Sequence, residues 1–158
     1  MAEEACYPYT GKNSECSPPP SSECNPRRWF AHEYYYVGGF KWQATEQLMK
    51  EELLANGPMA VSMFVFADFH AYAGGVYTHQ FTAGLTDQNN MFMQTNHAVL
   101  MVGWGVTDDA AQTPYWIVKN SWGAAWGESG YFRILRGLPE PGGESAIETT
   151  PFAAIPVV

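Results

Sequence analysis

The sequence predicts an α+β domain: antiparallel strands forming a β-barrel, with one main helix. Three observations carry this. Short apolar runs rich in β-branched or aromatic residues recur between residues 33 and 135, each closed by Gly, Asn or Pro. Only one stretch, Ala44 to Ala55, has apolar residues at helical spacing. The first 30 residues are proline-rich, hold all three cysteines and show little periodicity.

Two units follow: a proline-rich segment over residues 1–30 and the strand-rich domain over residues 31–158. Glu33 to Phe40, with three tyrosines and then Gly-Gly, read as a strand running into a turn. In the helix, Leu48, Met49, Leu53 and Leu54 fall near one face, and Glu46, Glu51 and Glu52 point outward. Asn56-Gly57-Pro58 ends it, because Gly accepts the left-handed cap and Pro cannot continue a helix. Met59 to Phe66 return to a strand, and Asp68 to Tyr72 read as a single turn before Gly74-Gly75-Val76-Tyr77. Residues 83–95 are polar and loop-like. Strands are expected at 98–102, 115–118 and Tyr131–Leu135, with a Gly/Pro loop at 137–143.

Composition narrows the functions. A chain of 158 residues that is 46% hydrophobic and 15% aromatic can build a real core. The net charge of −8 disfavours nucleic acid and anionic membrane surfaces as partners. No apolar run is long enough to span a bilayer. Gly103-Trp104-Gly105 is not a phosphate loop, since no helix follows it. His32, His70 and His79 lack a partner motif and are expected to be ordinary surface or half-buried residues. The aromatics from Phe64 to Tyr77 are expected to pack the core.

His97 is different because of what Asn120 adds. One heads an apolar run and the other closes a second run. If the two strands pair antiparallel, the start of the first meets the end of the second at one rim. A neutral imidazole needs a third group to fix its tautomer and plane, and a carboxamide does so without adding charge. Trp122, two residues beyond Asn120, can cover that hydrogen bond from water. Alone, a histidine heading a strand is ordinarily structural. With Asn120 and Trp122 it reads as the imidazole half of a thiol–imidazole catalytic pair. The thiol half is not apparent: Cys6, Cys16 and Cys24 cluster around a Pro/Ser-rich loop, where disulfides and an oxidising compartment are the natural reading. Three is odd, so one partner is expected elsewhere. A metal site is disfavoured, because no Cys-x-x-Cys step or nearby histidine completes a set.

His97-Ala98-Val99, Gly103-Trp104-Gly105, Lys119-Asn120-Ser121-Trp122-Gly123, Trp126-Gly127 and Gly130-Tyr131 together resemble the second half of a papain-family cysteine peptidase. Further segments are similar to the cathepsin C (dipeptidyl peptidase I) branch: Glu4 to Gly11, Tyr36 to Phe40, Gly57 to Val61, Leu85 to Asp87 and Glu144 to Glu148. The resemblance implies a papain-like right-hand domain whose N-terminal helical half is missing. His97 and Asn120 are implied as catalytic residues, with Trp122 in support. The nucleophilic cysteine and the glutamine that helps hold the oxyanion sit, in this family, in a segment with no counterpart here. This chain alone is therefore expected to be inactive, its partners being the half that carries the cysteine, an exclusion domain and peptide substrates.

By the same resemblance Cys6 pairs with Cys24 and Cys16 pairs outside the chain. Ala98, which follows the histidine, and Thr150 are implied as substrate-binding residues. Ser145 stands where the branch usually has cysteine, which leaves packing near the pocket floor open. A processing cut is implied between Thr86 and Asp87. Neither a metal nor a cofactor is implied for these residues, and chloride is left to the full enzyme. A homo-oligomer in a lysosome, a similar vacuole or the secreted fraction is expected. The buried interface with the other half predicts poor solubility for the isolated chain. The alternative is a papain-fold binding or structural protein without a nucleophile, which has no need to keep His97, Asn120 and Trp122 together.

Overall fold

The computed structural model describes residues 30–40, 43–79, 95–138 and 142–157. One compact unit runs from Tyr34 to Ala154, and a second holds Met1–Glu33 with Ile155–Val158. Of the second, only residues 30–33 and 155–157 are described. The proline-rich segment predicted over 1–30, with Cys6, Cys16 and Cys24, lies outside the described residues except for Phe30. So does the Thr86–Asp87 junction.

The strands are β1 (Phe30–Tyr36), β2 (Met59–Met63), β3 (Val76–Tyr77), β4 (His97–Val106), β5 (Pro114–Lys119), β6 (Tyr131–Leu135) and β7 (Phe152–Val157). Among the described residues one helix, α1, spans Glu46–Ala55, and two short 3-10 turns span Ala67–Ala71 and Glu144–Ala146. The sheet order is β1-β7-β2-β4-β5-β6-β3. The fold is thus α+β.

Alternation drives the central strands. Met59, Val61 and Met63 of β2, Val99 and Met101 of β4, Trp116 and Val118 of β5, and Phe132 and Ile134 of β6 are all buried. They face one core with Met49 of α1, Phe69 and Ile147, while the residues between them are more exposed. The β4 register shifts between Met101 and Gly103, where a bulge adds a residue. Beyond it Gly105 faces Tyr115, and a Cβ at Gly105 would sit 2.6 Å from that ring. Any larger residue there requires the Tyr115 ring to move.

The pairing departs from expectation at one place: β3 runs parallel to β6, not antiparallel. The chain reaches β3 through a 3-10 turn and Gly74-Gly75, with no tight hairpin to reverse it. The helix begins at Glu46, not Ala44, because Thr45 is the N-cap and its hydroxyl accepts the Leu48 amide N–H at 3.3 Å. Its buried stripe is also narrower than predicted. Met49 is fully buried and Leu53 half-buried, whereas Leu48 and Leu54 are exposed. Glu46 does not point freely outward; it pairs with Lys50 and with the buried Arg136. The closing strand β7 gave no sequence signal, since Ala153-Ala154-Ile155-Pro156 lacks both alternation and strand composition.

Candidate active site

Antiparallel pairing of β4 with β5 matches Leu100 to Lys119, so the first residue of β4 lies at the level of the loop just past β5. That places His97 beside Asn120. His97 Nε2 and Asn120 Oδ1 are 2.8 Å apart. Asn120 is buried, and His97 is half-buried.

The hydrogen atoms in this contact follow from connectivity. Ser121 donates its backbone N–H to Asn120 Oδ1 at 2.8 Å, and an amide N–H can only donate. The side-chain atom it meets is therefore the oxygen. The same oxygen meets His97 Nε2, so Nε2 carries the proton. Nδ1 is the nitrogen left to exchange protons with a reacting group. Asn120 Nδ2 is buried and has no hydrogen-bond partner among the described residues. A buried unsatisfied amide costs on the order of 1–3 kcal/mol. Stability alone does not favour asparagine here.

Trp122 is half-buried, with its ring 5.1 Å from that of His97 at an angle of 33°. It meets Phe69 at 5.6 Å and Trp126 at 5.0 Å, both edge-on. Phe69 is fully buried, so the indole is braced against the core. An apolar ring packed beside a hydrogen-bonded imidazole lowers the local dielectric.

The other strand flanking His97 is β2, where Met63 is its register partner. The Asn96 side chain fastens this side: its Oδ1 accepts the Val65 N–H at 2.7 Å and its Nδ2 donates to the Val65 carbonyl at 3.2 Å. The backbone adds Asn96 N–H to the Met63 carbonyl at 3.1 Å. Sequence reading passed over Asn96. An asparagine just before a strand can mimic a ladder pair with its amide, which is the signal that was available.

The predicted substrate-binding residues also converge. Ala98 is exposed and pairs in register with Ser62, whose hydroxyl hydrogen-bonds Thr150. Ser62 is thus the link between them that sequence reading missed. Nearby, Ser145 has φ 51° and ψ 26°, a left-handed conformation, and its carbonyl accepts the Phe64 N–H at 2.8 Å. Its hydroxyl donates to Glu144 Oε1 at 2.9 Å. Glu144 is buried, and burial pushes its carboxyl above the usual range against the lowering effect of Ser145.

Two histidines expected to be unremarkable have partners. His79 Nδ1 lies 3.1 Å from Asp68, and its ring stacks on Phe66 at 3.7 Å. Burial raises the Asp68 carboxyl, but hydrogen bonds from His79 and Tyr77 outweigh it and hold the group below its ordinary value. His70 stacks on Trp122. Among the described residues no cluster of His, Cys, Asp and Glu could hold a metal ion, and no helix is long and apolar enough to cross a membrane.

The family model for the papain family of cysteine proteases matches residues 1–155. The chain is 46% identical over 148 residues to cathepsin C of Schistosoma mansoni, covering 92% of this chain and 31% of that protein. It is 36% identical over 133 residues to dipeptidyl aminopeptidase 1 of Plasmodium falciparum, covering 75% of this chain and 19% of that one. Among solved structures, the bromelain protease of Ananas comosus in complex with the E64 inhibitor superposes with a TM-score of 0.72 at 28% identity. That match covers 98% of this chain and 62% of the bromelain chain. The chain therefore spans about a third or less of these two curated relatives' length.

Proposed function

The chain belongs to the papain family of cysteine proteases, and from that premise we propose that it supplies the catalytic imidazole and its orienting amide to a cathepsin C-like dipeptidyl peptidase. The contact between His97 Nε2 and Asn120 Oδ1, with the Trp122 ring beside His97, carries this reading. It leaves Nδ1 as the only nitrogen able to serve a nucleophile, and it fixes the plane in which that nitrogen points.

The nucleophile comes from a part of the enzyme outside this chain. In the resting site His97 holds protons on both nitrogens and pairs with a cysteine thiolate. The thiolate sulfur attacks the carbonyl carbon after the second residue of a peptide. A sulfur–carbon bond forms, and the negative charge moves to the carbonyl oxygen. When that charge returns, the carbon–nitrogen bond breaks and the departing amine takes the Nδ1 proton. Nδ1 then removes a proton from water, whose oxygen attacks the thioester. The sulfur leaves as thiolate and the dipeptide is released as an acid. Throughout, Asn120 keeps the proton on Nε2.

Ala98 and Thr150, joined through Ser62, form the wall and floor of the pocket for the substrate's second side chain. The small methyl of Ala98 leaves space for a broad, medium-sized apolar group. This chain alone is expected not to hydrolyse peptides, since no thiol stands at Nδ1 among the described residues. The expected compartment is a lysosome, a similar vacuole or the secreted fraction.

His97→Ala in the full-length enzyme tests the assignment. Turnover of an N-terminal dipeptide amide is expected to fall by about 10²–10⁴-fold or more, because general acid–base help and the thiolate are lost together. A thiol-directed affinity label should lose its reactivity in parallel. Turnover within a few-fold of the parent overturns the proposal.

A further inference from the structure

Trp122 touches a second imidazole that the reaction above does not use. The ring of His70 lies 4.9 Å from the indole with the planes within 5°, a stacked pair. His97 meets the same indole at 5.1 Å. One tryptophan therefore contacts both the catalytic histidine and another that is exposed to solvent.

His70 does not drift in this position. Its neighbour Phe69 is fully buried against Trp122, Trp126 and Phe132. Its own carbonyl accepts the Trp126 indole N–H at 3.2 Å, and Trp126 in turn stands edge-on to Trp122. The 3-10 turn Ala67–Ala71 and the loop after β5 are thus tied together on both sides of the stacked ring.

A ring stacked face to face on indole is bound differently in its two protonation states. Neutral imidazole contributes dispersion alone, whereas imidazolium is also attracted to the electron-rich face, by roughly 0.5–1 kcal/mol at an exposed site, or about two- to five-fold in an equilibrium. The charged groups on the surrounding elements do not compete for His70 among the described residues. Asp68, on the same turn, bonds His79 and Tyr77. Glu128, on the loop beyond Trp126, bonds Arg133 and the Gly75 amide. Lys119, at the end of β5, lies over Tyr131. His97 itself is held by Asn120.

We propose that His70 is a pH-responsive positioning residue: on protonation its imidazolium tightens the stack on Trp122 and seats the indole more firmly against the His97 ring. The device rests on the peptidase reading above for its consequence, though not for its physics. In acid the indole is clamped against the catalytic imidazole; as His70 loses its proton the clamp relaxes.

Two measurements on the full-length protein test this with the parent, His70→Leu and His70→Arg. Intrinsic tryptophan fluorescence, followed through the imidazole titration range, needs no turnover. The parent is expected to show a step that shrinks in His70→Leu and in His70→Arg, since neither side chain titrates there. Superimposable titrations of the parent and His70→Leu overturn the proposal, whatever the protein's activity. The pH profile of kcat on a dipeptide amide is the second measurement. His70→Leu should lower kcat about two- to five-fold in acid and converge with the parent above the imidazole range. His70→Arg, a permanent cation that stacks on indole, should hold the acid-side value across the range. A leucine profile parallel to the parent's overturns the positioning role. If the parent hydrolyses no dipeptide substrate, the peptidase reading fails while the fluorescence step still decides the clamp.

Discussion

On the proposed reading, Asn120 is held for chemistry rather than for packing. It is buried, spends its oxygen on two donors and leaves its NH2 group without a partner among the described residues. An apolar residue of similar size would avoid the desolvation of that group. What the amide provides is a proton fixed on Nε2 of His97, and hence a free Nδ1. Asn120→Ala is therefore expected to separate stability from activity. The protein should unfold within about 1–2 kcal/mol of the parent, since a small cavity is offset by relief of the unsatisfied amide. Dipeptide turnover should fall between roughly ten- and ten-thousand-fold, the upper figure being the loss when a histidine is left in the wrong tautomer. Chemical denaturation and kcat/KM measured on the same preparation check it. A large stability loss with intact turnover would make Asn120 a structural residue. His70 belongs to this scale too: it looked ordinary because its stacking partner lies 52 positions away in sequence.

At the scale of elements, the site is a consequence of two strand ends. The Leu100–Lys119 register brings the head of β4 to the tail of β5, and the Asn96 amide secures the other flank to Val65 beyond β2. Asn96→Ala removes both side-chain bonds to that backbone. About 0.5–1.5 kcal/mol of stability should go with each exposed bond at most, read as a lower denaturation midpoint. His97 should also be held less firmly, so kcat is expected to drop while KM changes little; an unchanged kcat would show that β4 alone fixes the ring. The strands that pair here were legible because their apolar residues alternate and their ends carry Gly or Asn. The helix was legible in place but not in burial, since Leu48 and Leu54 satisfy the spacing yet face away from the core that Met49 fills. Three features left too little local trace. β7 is short of β-branched residues and contains Pro156, β3 is two residues long, and Ser62 gains its meaning only from Ala98 across the ladder and Thr150 far along the chain.

For the molecule as a whole, the question is where on the pH scale this acidic chain is held together best. Two sets of carboxyls pull in opposite directions. Burial raises Glu46 and Asp68, but Lys50 and Arg136 at the first, and His79 and Tyr77 at the second, bring both below the ordinary value; Arg133 does the same to Glu128 against a smaller effect of burial. A group depressed in the folded state stabilises above its unfolded pKa, about 4.3 for a glutamate, and that contribution fades as pH falls through the folded value. Glu144 has the opposite sign. At 1% exposure, with Oε2 lacking a partner among the described residues, its carboxyl is raised by burial in spite of Ser145. Its contribution is complete below the unfolded pKa and is lost as pH rises through the folded one. The first set weakens the fold as pH falls and Glu144 weakens it as its proton is lost, so stability peaks between the two. Glu144→Gln keeps the shape and an acceptor for the Ser145 hydroxyl while removing the charge. Urea midpoints of the full-length protein measured from about pH 5 to about pH 8 should decline in the parent and decline less in the variant, the curves separating most at the upper end. Parallel curves would mean that Glu144 is not the group whose ionisation loosens the fold.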